Sequence, residues 1–347
     1  MLLRRLSTAL GLAFVLVLGL ASAALAADLE LGPGARAMGM AGAFVAVADD
    51  GTAAYWNPAG ITQLKILGIT PSIGAGGDWM KLQTSIGEGY PPNLGNTELK
   101  INGMVGALFR GFGASFLFTA GAKTTYVDKP DPETDESTVD VKAMGTGFVT
   151  LAHRFGDNFA LGANLKVLYG QRVSYPVEGD PTSYIEGSGT GYGLDVGALF
   201  KVGEFFRVGA KVEDLYTSIG WDETRCTYNP VSSAWEKNSA GRKTETIPAL
   251  LRLGLAVKPP LFGTLIAAQI DSPLGGGGGE TTYRIGLEQG VLIFKLRLGA
   301  ILDSGFSLEN YTLGLGLKLG PVVFDLAGLM KSGLSPEAAV LTAGFTF

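Results

Sequence analysis

The sequence predicts an all-β fold, a 14-stranded antiparallel transmembrane β-barrel with an N-terminal plug inside its lumen. Three observations carry this expectation. Beyond residue 63, apolar residues alternate with polar residues or glycine through segments of 10 to 18 residues, the period of a strand. The connections between these segments alternate strictly between long and short, as in barrels with short turns at one membrane face and loops at the other. Finally, glycine is abundant, 52 of 347 residues, and sits mostly inside the alternating segments, where it marks bends and close backbone approach in curved sheets.

Taken from the start, residues 1–26 read as a cleaved secretory leader. Two arginines, Arg4 and Arg5, precede an apolar run from Leu10 to Leu20, and Ala24-Leu25-Ala26 has the small-x-small form of a cleavage site. Asp28 and Glu30 follow at once, which disfavours a membrane anchor. No later apolar run approaches the roughly 20 residues that a spanning helix needs.

Residues 27–63 precede the first strand and are rich in small residues, with Asp49 and Asp50 too polar for lipid. A barrel of fourteen strands is wider than those filled by side chains alone. This segment is therefore expected to occupy the lumen. Within it, Tyr55-Trp56-Asn57-Pro58-Ala59-Gly60 predicts a bent element. The residue before proline avoids the helical region, so one helical turn ends near Asn57, which then caps the next with Pro58 at its first position.

The barrel domain, residues 64–347, divides into strands at 64–75, 98–109, 112–125, 138–155, 158–174, 187–202, 205–220, 244–258, 262–272, 280–289, 292–302, 308–319, 321–331 and 338–347. Residues 244–258 show the alternation well: Ile247, Ala249, Leu251, Leu253, Leu255 and Val257 take one face, while Arg252, Gly254 and Lys258 take the other. Short turns are expected at Arg110-Gly111, Gly156-Asp157, Gly203-Glu204, Pro259 to Leu261, Gly290-Val291 and Gly320, and a long loop at residues 221–243. Trp79, Tyr90, Tyr175, Tyr184, Trp221 and Trp235 are assigned to the long loops, as candidates for an entrance. By alternation, Lys166, Asp195, Lys211, Arg252, Arg297, Lys318 and Asp325 face the lumen and are expected to pair with plug groups such as Asp49 and Asp50.

Catalytic and metal sites find no support in the sequence. One histidine, His153, and one cysteine, Cys226, provide neither a disulfide nor a ligand set, and no cofactor motif is found. The net charge of −5 argues against nucleic acid as a partner. The glycine run Gly275 to Gly279 lacks the Lys-Ser/Thr of a phosphate loop, and the acidic stretch 128–136 lacks calcium-loop spacing. Both read as outward loops.

A resemblance adds to this. Residues Ala35 to Phe44, then Ala48-Asp49-Asp50, then Tyr55-Trp56-Asn57-Pro58-Ala59-Gly60 resemble the N-terminal hatch of FadL-type outer-membrane transporters, and are closer still to the PorV/PorQ branch of that superfamily. Gly193 to Val202, Phe206 to Leu215 and Ile247 to Val257 extend the likeness into the barrel. It implies that Tyr55, Trp56, Asn57, Pro58 and Ala59 belong to the hatch, and that the chain passes hydrophobic small molecules, fatty acids or aromatic compounds, across an outer membrane. The alternative it implies is a PorV-like role in protein secretion and surface attachment. The terminal Gly344-Phe345-Thr346-Phe347 resembles the signal by which bacterial barrels reach their assembly machinery.

Overall fold

The computed structural model describes residues 32–77, 97–127, 136–176, 183–260, 263–275, 279–331 and 335–346. The leader, Trp79, Tyr90, the acidic stretch up to residue 135 and Phe347 lie outside the described residues.

Sixteen strand segments form one antiparallel sheet. They are β1 (Leu67–Ile69), β2 (Ser72–Gly77), β3 (Thr97–Phe109), β4 (Phe112–Val127), β5 (Glu136–Phe155), β6 (Phe159–Pro176), β7 (Ser183–Val202), β8 (Phe206–Asn229), β9 (Ala234–Thr246), β10 (Leu250–Val257), β11 (Thr264–Pro273), β12 (Thr282–Val291), β13 (Phe294–Leu302), β14 (Leu308–Leu319), β15 (Val322–Lys331) and β16 (Pro336–Thr346). They make fourteen barrel strands, because β1 with β2, and β9 with β10, are each one strand interrupted at a proline. β16 pairs with both β1 and β2, so the sheet closes on itself and leaves no edge in lipid. The fourteen-stranded closed barrel is the expected architecture.

Alternation sets the two faces. On β6, Leu161, Leu165, Val167 and Tyr169 are exposed outward while Asn164, Lys166 and Leu168 are buried inward. Phe159 and Tyr169 on β6 stand ten positions apart on the outer face. At about 3.3 Å per residue and a tilt of about 40°, that separation is about 25 Å, the height of the apolar band of a membrane barrel between its aromatic girdles.

Four details differ from the expectation. Residues 221–243 are not a loop: β8 and β9 continue as a hairpin that turns at residues 230–233. Cross-strand pairs hold it, including Lys243 with Glu223 at 2.7 Å and Tyr228 with Trp235 at 5.5 Å between ring centroids. Polar side chains on both faces hide its period. The strand expected at 244–258 is broken at Pro248, which has no N–H for the ladder, and Ile247 packs inward on Trp221 instead of joining the outer face. The turn expected at Gly290-Val291 falls at Leu292-Ile293, where Leu292 takes a φ of 54°. Residues 64–66 complete the inner segment, and the first strand begins at Leu67.

Residues 32–66 fold inside the sheet as helix α1 (Ala35–Met38), helix α2 (Ala53–Trp56) and a 3-10 helix (Pro58–Gln63), joined by turns. Met40, Phe44, Val45, Trp56 and Ile61 are buried against the inner wall. Inward glycines allow the close approach. A Cβ on Gly197 would stand 2.2 Å from Asn57 Oδ1, and one on Gly209 would stand 2.4 Å from the Val45 carbonyl.

Candidate functional site

The bend at Asn57 begins in its backbone. Its extended φ of −163° ends α2 and starts the 3-10 helix, where Pro58 occupies the first turn. Its Oδ1 accepts from Ala59 N at 3.1 Å, which is the cap. Its Nδ2 donates to the Val45 carbonyl at 2.8 Å and to the Ala198 carbonyl of β7 at 3.0 Å. One fully buried amide therefore caps a helix, ties two parts of the inner segment together and fastens both to the wall. Trp56 Nε1 donates to the Pro33 carbonyl at 2.9 Å, and Tyr55 meets Trp56 edge to face at 5.0 Å.

Two ionic clusters flank the segment. In the first, Lys166 pairs with Asp195 at 2.7 Å and with Asp214, Lys211 with Asp195 at 3.5 Å and Glu213 at 3.4 Å, and Arg252 with Glu213 at 2.7 Å. A bulge between Leu194 and Val196, with Asp214 at a φ of 53°, brings the three carboxylates together. The cluster grips the inner segment through Lys211 Nζ, which donates to the Tyr55 carbonyl at 2.6 Å, and through Asn164 Nδ2, which donates to the Ala54 carbonyl at 2.7 Å. In the second cluster, Arg36 pairs with Asp49 at 2.5 Å, Asp50 at 3.7 Å and Glu288 of β12 at 2.9 Å. Arg297 then joins Glu288 at 2.8 Å to Asp325 at 2.7 Å.

Six of the seven charges selected from the sequence are thus buried and clustered: Lys166, Asp195, Lys211, Arg252, Arg297 and Asp325. Lys318 is exposed at the short-turn end, where it lines a cavity with Asp325 and Arg297. The expected partners differ. Asp49 binds Arg36 and approaches Arg207 at 3.7 Å, and Asp50 binds Arg36 and Thr52. The wall charges pair mainly with one another, between adjacent strands (Lys211 with Asp195, Arg297 with Glu288) and across one intervening strand (Lys166 with Asp214, Arg297 with Asp325). Burial pushes the Asp50 carboxyl above its ordinary value, against the pull of Arg36 and the Thr52 hydroxyl.

Sequence reasoning missed the neutral anchors. Gln269 Oε1 accepts from Phe44 N and Val45 N at 3.0 and 2.9 Å, Thr312 bonds both Ala41 N and the Gly39 carbonyl at 3.1 Å, and Thr342 accepts from Ala35 N at 2.8 Å. Their signal was position, since each lies on the inward parity of its strand, but selection by charge passed over them. Trp221 was assigned to a loop and is instead fully buried inside the barrel, with Arg172 4.3 Å from its ring centroid and its Nε1 donating to Glu245 at 2.8 Å. Tyr175, Tyr184 and Trp235 do form a contiguous aromatic row on the strand extensions, at 4.9 and 5.1 Å.

The inner segment separates unlike spaces. Toward the long connections lies a cavity of about 440 Å³ bordered by Tyr55, Asn102, Thr119, Gly121 and Met144, with Lys100 and Lys142 above. Toward the short turns lie cavities of about 690 and 220 Å³ whose borders are dense in charge.

No family model matches the chain, and no curated protein matches it significantly. The fold is that of the FadL-type hydrocarbon channels. It is similar to the toluene transporter TbuX of Ralstonia pickettii, with a TM-score of 0.65, 14% identity, and 92% of this chain and 99% of that one covered. It is likewise similar to the toluene transporter TodX of P. putida, with a TM-score of 0.61, 12% identity and coverage of 92% and 99%. A FadL homologue of Pseudomonas aeruginosa matches with a TM-score of 0.57, 13% identity and coverage of 90% and 98%. These likenesses do not support the closer placement in the PorV/PorQ branch.

Proposed function

We propose that the chain is an outer-membrane channel of FadL type that passes hydrophobic small molecules, with residues 32–64 as its plug. One observation carries this reading. Beside the packed segment the lumen keeps a cavity of about 440 Å³ with Tyr55 and Met144 at its border, on the side where long connections emerge. That is a size expected of a small-ligand site, and Tyr55, Ile101, Ala120, Ala122 and Met144 line it beside the charged Glu98, Lys100, Lys123, Asp140 and Lys142. The FadL-type likeness supports the same reading, and the ordered clusters of ion pairs fit a gate better than a catalytic centre.

The proposal includes the location. The leader at residues 1–26 and the terminal Phe347 suit export and insertion into the outer membrane of a diderm bacterium, with lipid and the barrel-assembly machinery as partners.

Liposomes containing the purified protein test the reading, with a fatty acid and an aromatic hydrocarbon offered outside. Uptake above empty liposomes, reduced by Met144→Asp, is expected. No protein-dependent uptake of either solute would refute it.

A further inference from the structure

Below the plug, at the short-turn end, lies a cavity of about 220 Å³ open to solvent and bordered by Lys65, Arg110, Arg154, Lys201 and Arg207, with Asp49 as the one carboxylate at its border. Arg154, Lys201 and Arg207 come from the ends of β5, β7 and β8, on the inward parity of their strands, and Arg110 from the turn that follows β3. Two of the five have a structural task. Arg154 Nη2 donates to the Thr62 carbonyl at the end of the 3-10 helix at 2.6 Å, and Arg207 approaches Asp49 at 3.7 Å. Lys65, Arg110 and Lys201 have no ion-pair partner among the described residues. Asp157, beside Arg154, Lys201 and Arg207 in an adjoining shallow pocket, offsets only part of this charge.

Like charges drawn together around one space repel, and nothing in the packing of the plug requires Arg110 or Lys201 to be cationic. We infer that this chamber is a binding site for a doubly charged oxyanion of the phosphate class, held by the forks of Arg110, Arg154 and Arg207 with Lys201 and Lys65 as point charges. Three considerations select the ligand. A monocarboxylate would leave most of the positive charge unanswered. Guanidinium forks match tetrahedral oxyanions in bidentate geometry. The volume, about 220 Å³, is below the range of about 300–1,000 Å³ for drug-sized ligands, so the chamber suits a headgroup or a small phosphate ester. The group can arrive as the phosphate of a membrane lipid or as a soluble phosphate. This site is independent of the transported molecule, so its failure would leave the channel reading intact.

The test uses the full chain in a maltoside detergent free of phosphate. Pyrophosphate and inorganic phosphate are titrated calorimetrically at an ionic strength held constant with chloride. Saturable binding is expected, weakened at least about tenfold in Arg110→Gln/Lys201→Gln, since each loses a charge-assisted contact. The side chains at these two positions make no hydrogen bond to the inner segment among the described residues, and an unchanged heat-modifiable gel shift certifies the fold. A second measurement separates the sources. Phosphorus NMR of nanodiscs containing phosphatidylglycerol shows an immobilised lipid phosphate, lost in the variant, if lipid is the ligand, and no such signal if the ligand is soluble. Phosphate binding no tighter than chloride, together with no immobilised lipid phosphate, would overturn the inference, as would equal binding by the variant.

Discussion

Asn57 Nδ2 lies 3.0 Å from the carbonyl oxygen of Ala198, a hydrogen bond that joins the bend of the inner segment to strand β7 near its C-terminal end. The same amide group holds the Val45 carbonyl at 2.8 Å and caps the 3-10 helix through Ala59 N. Asn57→Ala therefore removes more than a cap. Loss of the cap costs about 1 kcal/mol, and the buried Val45 carbonyl left without the Asn57 amide adds about 1–3 kcal/mol. The barrel itself is unaffected, so the gel shift between unboiled and boiled samples persists while amide exchange across residues 40–64 accelerates. Unchanged exchange would show that the bond does not hold the segment.

Deleting residues 32–64 removes the material that fills the lumen. The barrel still closes, because β16 pairs with β1 and β2 independently of that segment. Single-channel conductance in planar bilayers is expected to rise sharply. A silent trace from a correctly inserted barrel would contradict the plug.

Gly209→Ala introduces a Cβ 2.4 Å from the Val45 carbonyl, against backbone that cannot step aside. The expected cost is about 1–3 kcal/mol, as for an overpacked core, and it falls on the seating of the plug. Conductance flicker and faster amide exchange at Val45 report it. Gly203 has a φ of 66° and open space around it, so Gly203→Ala strains only a turn and leaves both readouts near wild type.

Asp50 provides a dependence on pH. Burial raises its pKa in the folded protein above 3.8, so the folded state holds the proton more tightly and stability declines as pH rises through the folded value. Asp50→Asn keeps an oxygen for Thr52 N, now bonded at 2.8 Å, and removes the buried charge. Slower amide exchange of the plug at neutral pH is expected in the variant, with the difference vanishing below the unfolded value, where both states are protonated. Faster exchange at neutral pH would mean that attraction to Arg36 outweighs burial.

Arg297 bridges Glu288 and Asp325 while almost wholly buried. Arg297→Met leaves Glu288 to Arg36 alone and takes from the buried Asp325 its cation, a loss of about 3–5 kcal/mol for a broken buried pair. A lower thermal midpoint in detergent is expected, with partial recovery in Arg297→Met/Asp325→Leu. No recovery would show that the guanidinium acts by packing alone.

Period two and turn chemistry are local, so the number of strands and their inward parity were written in the order of residues: Asn164, Lys166 and Leu168 alternate with Leu165, Val167 and Tyr169 whatever lies across the lumen. The hydrogen-bonding habit of Asn57 before Pro58 was local in the same sense, and so the capped bend was legible. Which inward charges meet was not, because pairing depends on register between strands distant in sequence and on the bulge that turns Asp214 toward Lys166. The sequence shows Asp49 and Asp50 as equivalent neighbours, and only packing gives Asp49 to Arg36 and Arg207 while Asp50 turns to Thr52. Trp221 reads as a loop residue because its neighbours are polar on both faces, yet β8 runs on and the glycines at 170 and 189 open the space that buries it. Local patterns determined which elements form, while long-range contacts, made only once the sheet closes, decided what those elements hold.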